Sequence, residues 1–168
     1  MWRVIVAVLV LGFAAYRFVG KTPANGAGAA AGQPVYEGYL ELRMLMKTEQ
    51  REIELVAVEE KPYAADCEKH DAGSRIAALC PGGGKNGIGC SLKSQECSSQ
   101  VEPRYQKMLD GLPVSTHYAR VETNDRGSTP RRAVVLGWGM TEEESLQLCT
   151  AIRESAGKRI SGGTVSCI

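Results

Sequence analysis

From Tyr39 to Lys47 (YLELRMLMK) the apolar positions fall on Leu40, Leu42, Met44 and Met46, with Glu41, Arg43, Leu45 and Lys47 between them. The stretch EIELVAV (52–58) repeats the alternation on Ile53, Leu55 and Ala57. A period of two marks strands with one buried face. The competing element is a single long helix, because these residue types are good helix formers. Such a helix would carry KTEQRE (47–52) as a polar break across its apolar stripe. The pattern therefore favours a hairpin turning at Thr48-Glu49-Gln50.

Pro62 suits a first helical turn, and Tyr63, Cys67, Ile76, Ala77 and Leu79 share part of a helical face, weakened midway by Asp71-Ala72-Gly73. PRYQKML (103–109) reads as a further helical turn or two, stopped by Asp110-Gly111. STHYARVET (115–123) alternates like a strand, NDRGSTP (124–130) is turn chemistry, and RRAVVLGWG (131–139) is a mostly buried strand. Thr141 with Glu144 three residues on forms a capping box, and the acidic first turn suits the helix dipole. That helix continues through Leu146, Cys149 and Ile152 to Ser155, and TVSCI (164–168) closes with a strand.

Two segments align without gaps. IELVAVEEKPYAADC (53–67) and VLGWGMTEEESLQLC (135–149) each place a strand, an acidic helix start and a cysteine at matching depth. The chain is thereby expected to be α+β. One antiparallel sheet would carry two helices on one face, as in a ferredoxin-like βαββαβ sandwich with an extra strand.

Ahead of this body, MWRVIVAVLVLGFAAYRFVGK (1–21) has a positive head and a run of apolar residues or glycine from Val4 to Tyr16. It fits a single-pass anchor in the inner membrane, with Arg17 snorkelling outward, or alternatively a signal segment that is cleaved to release a secreted chain. Residues 22–35 are small and uncharged and read as a linker. Residues 36–168 then form a periplasmic domain with a glycine- and cysteine-rich insert at 80–100. Leaving out Arg3, Arg17 and Lys21, the body has 17 basic and 19 acidic residues, a net charge of −2. That balance offers no field to gather nucleic acid.

The insert, CPGGGKNGIGCSLKSQEC (80–97), admits three chemistries. A P-loop needs a glycine at position 79 and a serine or threonine at position 86, where the chain has Leu79 and Asn86. Zinc knuckles pair close ligands, whereas Cys67, Cys80, Cys90 and Cys97 are widely spaced, and CxxC and CxxCH are absent. No metal or cofactor is expected. Disulfides remain, as befits an exported chain with an even number of cysteines. The local pairings are Cys149 with Cys167, Cys90 with Cys97, and Cys67 with Cys80; Cys80 with Cys97 is the alternative that clamps the insert at its neck. Lys85 and Asn86 sit near the tip of this pinned loop as candidate recognition residues.

Catalytic signals are sparse. His70 and His117 are the only histidines, no nucleophile elbow occurs, and the glutamate clusters at 59–60 and 142–144 are explained by helix starts. Trp138, set between Gly137 and Gly139, is a candidate ligand-facing aromatic.

RRAVVLGWGMTEEESLQLCTAIRES (131–155) resembles the second half of the peptidoglycan-binding SPOR domains, which also follow a membrane helix and a linker. The resemblance implies a βαββαβ fold and glycan binding in the envelope. The first half, EIELVAVEEKPYAADC, lacks that family's glutamine, glycine and aromatic. The expectation is a non-enzymatic domain that binds an envelope protein or peptidoglycan glycan. The rival readings are a small inhibitor or immunity protein working through the pinned loop, and a periplasmic enzyme using carboxylates or His117.

Overall fold

The computed structural model describes residues 38–47, 50–61, 89–123, 130–159 and 163–168. The anchor segment, the linker, the helix expected at 63–79, and Lys85 and Asn86 lie outside the described residues. Among the described residues, no helix is long and apolar enough to cross a membrane.

The elements run β1 (Gly38–Lys47), β2 (Glu52–Lys61), β3 (Gly89–Ser98), α1 (Pro103–Leu109), β4 (Tyr118–Thr123), β5 (Arg131–Trp138), α2 (Glu142–Arg159) and β6 (Thr164–Cys167). They build one six-stranded sheet in the order β3-β1-β2-β5-β4-β6, with every pairing antiparallel. The order reads alike from either edge. Each half is a hairpin (β1–β2 or β4–β5) whose first strand takes a returning strand, β3 or β6. The halves meet where β2 pairs with β5. The aligned segments seen in the sequence thus begin on equivalent strands.

This is not the ferredoxin-like arrangement expected from the sequence. There the two βαβ halves interleave, whereas here each half keeps its own hairpin strand between its other two. Nor do the described helices share a face. α2 supplies Leu148 and Cys149 to a cluster with Leu40, Leu42, Met44, Met46, Ile53, Leu55, Ala57, Ala119 and Val135. α1 supplies Tyr105, Met108 and Leu109 to a second cluster with Val56, Val58, Tyr118, Val134 and Leu136. The sheet therefore has two covered faces, and β2 is buried continuously from Leu55 to Val58.

With seven residues, α1 is too short to be stable alone. It is fixed by what it buries and by β4: Arg120 Nε donates to the Leu109 carbonyl at 2.7 Å, and the Tyr118 hydroxyl donates to the Leu112 carbonyl at 2.7 Å. At its C-terminal end Arg132 reaches Asp110 at 2.7 Å while also clasping Glu60, a carboxylate with no exposed surface. Glu60 accepts from the Arg132 backbone N–H and guanidinium, so its burial is compensated.

α2 begins with the expected box. Thr141 N–H donates to Glu144 Oε2 at 2.8 Å, and Glu144 N–H donates to Thr141 Oγ1 at 3.3 Å. The helix extends past Ser155 to Arg159. Its Cys149 bridges to Cys167 on β6 with the Cα atoms 5.7 Å apart, as the local pairing anticipated.

The glycines flanking Trp138 have separate reasons. A Cβ on Gly137 would lie 2.0 Å from the Met140 sulfur, so Gly137 leaves room for that side chain. Gly139 has φ +81° and its Cβ would sit 2.8 Å from the Glu52 carbonyl oxygen. A methionine can swing away, but a backbone carbonyl inside the β1–β2 hairpin cannot. Gly139→Ala is expected to cost about 1–2 kcal/mol from the left-handed conformation alone, with the clash in addition. Gly137→Ala should cost less. Urea unfolding of the two variants checks the order.

Candidate functional site

On the face of the sheet that carries α1, an open cleft of about 670 Å³ lies between β1, β3 and the segment 100–102. Its floor is a ladder of cross-strand pairs: Tyr39 opposite Ser98, Glu41 opposite Glu96, and Arg43 opposite Ser94. Lys93, Val58, Gln100, Val101 and Glu102 complete the lining.

The ladder owes its polarity to the other face. Because side chains alternate along a strand, burying Leu40, Leu42 and Met44 in the core cluster of the opposite face obliges Tyr39, Glu41 and Arg43 to point to the cleft. β3 follows the same logic with one extra residue. Met44 pairs with Leu92 and Arg43 with Ser94, which leaves Lys93 unpaired in a bulge. Leu92 packs on the α2-side core, whereas Ser94, two residues on, lines the cleft. The bulge thus turns Lys93 and Ser94 both toward the site.

A charge network underlies the cleft. Arg43 donates through Nε to Glu41 at 2.5 Å, through Nη1 to Glu54 at 3.0 Å, and through Nη2 to the Tyr105 hydroxyl at 3.1 Å. Lys93 Nζ donates to the second Glu54 oxygen at 2.6 Å. Arg104 donates to Tyr105 at 3.0 Å and pairs with Glu102 at 2.8 Å. The three cations and the carboxylates Glu41, Glu54 and Glu102 balance. Glu96 is left over: it is exposed and forms no ion pair with a described residue. The hydrogen bond from Lys93, helped by Arg43, holds the Glu54 carboxyl below the usual glutamate value against the opposing effect of burial. Burial pushes the Tyr105 hydroxyl upward.

Trp138 packs at the margin of the α1-side core, and the Arg104 guanidinium lies 5.2 Å from its ring centre. The ring is therefore half-buried with a cation over it, and it does not line the cleft. His117 is exposed, its Nε2 3.5 Å from Glu142 on the helix start.

The cysteine segment differs from the expected loop, since Gly89 to Ser98 is strand. Seven residue steps of near-extended chain put Cys90 and Cys97 roughly 20 Å apart, and a disulfide needs Cα atoms within about 7 Å. A Cys90–Cys97 bridge is therefore excluded. Cys97 is nevertheless disulfide-bonded. It pairs with Leu40 in register, on the face away from the cleft.

No protein-family model, curated protein or solved structure matches this chain.

Glu144 resembles Glu54 in its titration. Burial pushes its carboxyl up, but hydrogen bonds from Arg51 and from Thr141 outweigh this and hold it below the usual value. A depressed carboxyl stabilises the fold above its unfolded-state value, and that contribution disappears as pH falls through the folded-state value. The urea midpoint is expected to hold near neutrality and to fall as the pH drops below about 4.3. In Glu54→Gln, measured over the same acid range, the dependence should be shallower.

Proposed function

We propose that this chain is an exported domain, tethered to the inner membrane by its N-terminal apolar segment, that binds a partner in the cell envelope. The observation that carries the binding reading is the open cleft, with its donors and acceptors held on a rigid sheet. Clefts of several hundred Å³ with a few fixed polar groups are the usual form of ligand sites. The Cys149–Cys167 bridge and the bonded Cys97 support the compartment, because such bridges persist where thiols are oxidised.

Protein is favoured over glycan as the partner. Sugar recognition leans on open aromatic faces, and among the described residues the cleft offers only Tyr39, whose hydroxyl is 3.4 Å from Gln106 on α1. Trp138, the aromatic suggested by the likeness to peptidoglycan-binding domains, is covered by Arg104. The glycan form remains the second reading on the strength of that likeness.

A photo-crosslinking amino acid at Ser94, in the full chain in cells, tests the proposal. Envelope adducts are expected from Ser94 and not from Glu154, an exposed position on α2. Equal adducts from both positions, or none from Ser94, would overturn the reading; adducts containing glycan alone would move it to the second form.

A further inference from the structure

We infer that the cleft recognises an extended polypeptide segment through one basic side chain, whose cation is seated between Glu41 and Glu96. This rests on the binding reading above and names its ligand.

The first support is register. Glu41 and Glu96 are direct cross-strand partners on the same face of the sheet. Like charges so placed oppose one another, at a cost of a few tenths of a kcal/mol or more. Arg43 neutralises Glu41 and is itself fully engaged, with Glu41, Glu54 and Tyr105 on its three nitrogens. Lys93 leans away onto Glu54. The cations that line the cleft among the described residues are thus committed elsewhere, and Glu96 lines the open cleft. An ammonium or guanidinium arriving there would receive two carboxylates, one of them without a counter-ion among the described residues.

The second support is spacing. The floor rungs Tyr39/Ser98, Glu41/Glu96 and Arg43/Ser94 follow one another at every second residue, roughly 6.8 Å apart. A peptide lying extended along the strands presents the side chains of one face at that same interval. With its basic residue over the carboxylate rung, small hydroxyl-bearing residues two positions away on either side would meet Ser98 and Tyr39 at one end and Ser94 at the other. The bulge at Lys93 ends the ladder at that side, so the trough accepts about three such rungs.

Glu96 suits the test because it is exposed and forms no ion pair with a described residue. The probe is an acetylated, amidated peptide, Ser-Thr-Ser-Thr-Lys-Thr-Ser-Thr-Ser, titrated into the full, unreduced chain by fluorescence anisotropy. Its lysine-acetylated twin is the control. Binding of the lysine peptide is expected. Acetylation, Glu96→Gln and raised salt should each weaken it, the first two by about tenfold or more. Glu41→Gln should weaken it as well, while the circular dichroism of Glu96→Gln stays unchanged. Equal affinity for the two peptides, or no effect of Glu96→Gln, would overturn the inference, as would preference for a chitin-type oligosaccharide. Failure of the two proposals is separable. Adducts at Ser94 together with no charge discrimination would leave the binding reading standing and remove this one; no adducts at Ser94 would remove both.

Discussion

The pairing of β2 with β5 is the constraint on which the rest depends. It joins two self-contained three-stranded halves through six residue pairs from Glu54–Trp138 to Glu59–Ala133. Each hairpin has two faces to be covered, and both core clusters draw residues from both halves. Joined, the halves place Val56, Val58, Val134 and Leu136 in the cluster that α1 completes, and Leu55, Ala57 and Val135 in the cluster to which α2 contributes. Burial on both sides at the centre then permits polarity on one side at the β3 edge, where α1 no longer reaches. The cleft is the uncovered remainder of a face whose middle is core.

The ionic groups divide along the same line. At one end of the α1 face, Arg132 closes Glu60 and Asp110 into a compact cluster with a fully enclosed carboxylate. At the other end the Arg43–Glu54–Lys93 network is part-exposed and open to the cleft. Depriving the enclosed Glu60 of its arginine is costly, whereas the half-exposed Lys93 is held on Glu54 by a contact that water can replace.

Much of the fold was legible in the sequence because its signals were local. The alternation at 39–47 and 52–58, the Thr141–Glu144 box, and the Cys149–Cys167 pairing each need only a few neighbouring residues, and each is present in the structure. The topology was not local. Nothing in VLGWG says that its neighbour is β2, and the second apolar face of β2 is written only as Val56 and Val58 interleaved with the first. β3 escaped notice for two reasons: Leu92 is its single large apolar residue, and the bulge breaks the alternation that would have marked a strand. The cleft was invisible for the same reason, because its rungs come from two segments separated by about fifty residues. Trp138 was conspicuous between two glycines, yet those glycines serve Met140 and the hairpin backbone.

The bulge at Lys93 also gives the edge strand a phase. Leu92 points to the core and Ser94 to the cleft, so the two parts of β3 agree with β1 only because one residue is left out of the count. A substitution there alters a side chain. A deletion or insertion of one residue would invert which residues of one part face inward, exchanging core for cleft along several positions at once. The length of β3 is therefore under tighter constraint than its composition, and a strand with little apolar content can still tolerate many exchanges of residue while tolerating no change in number.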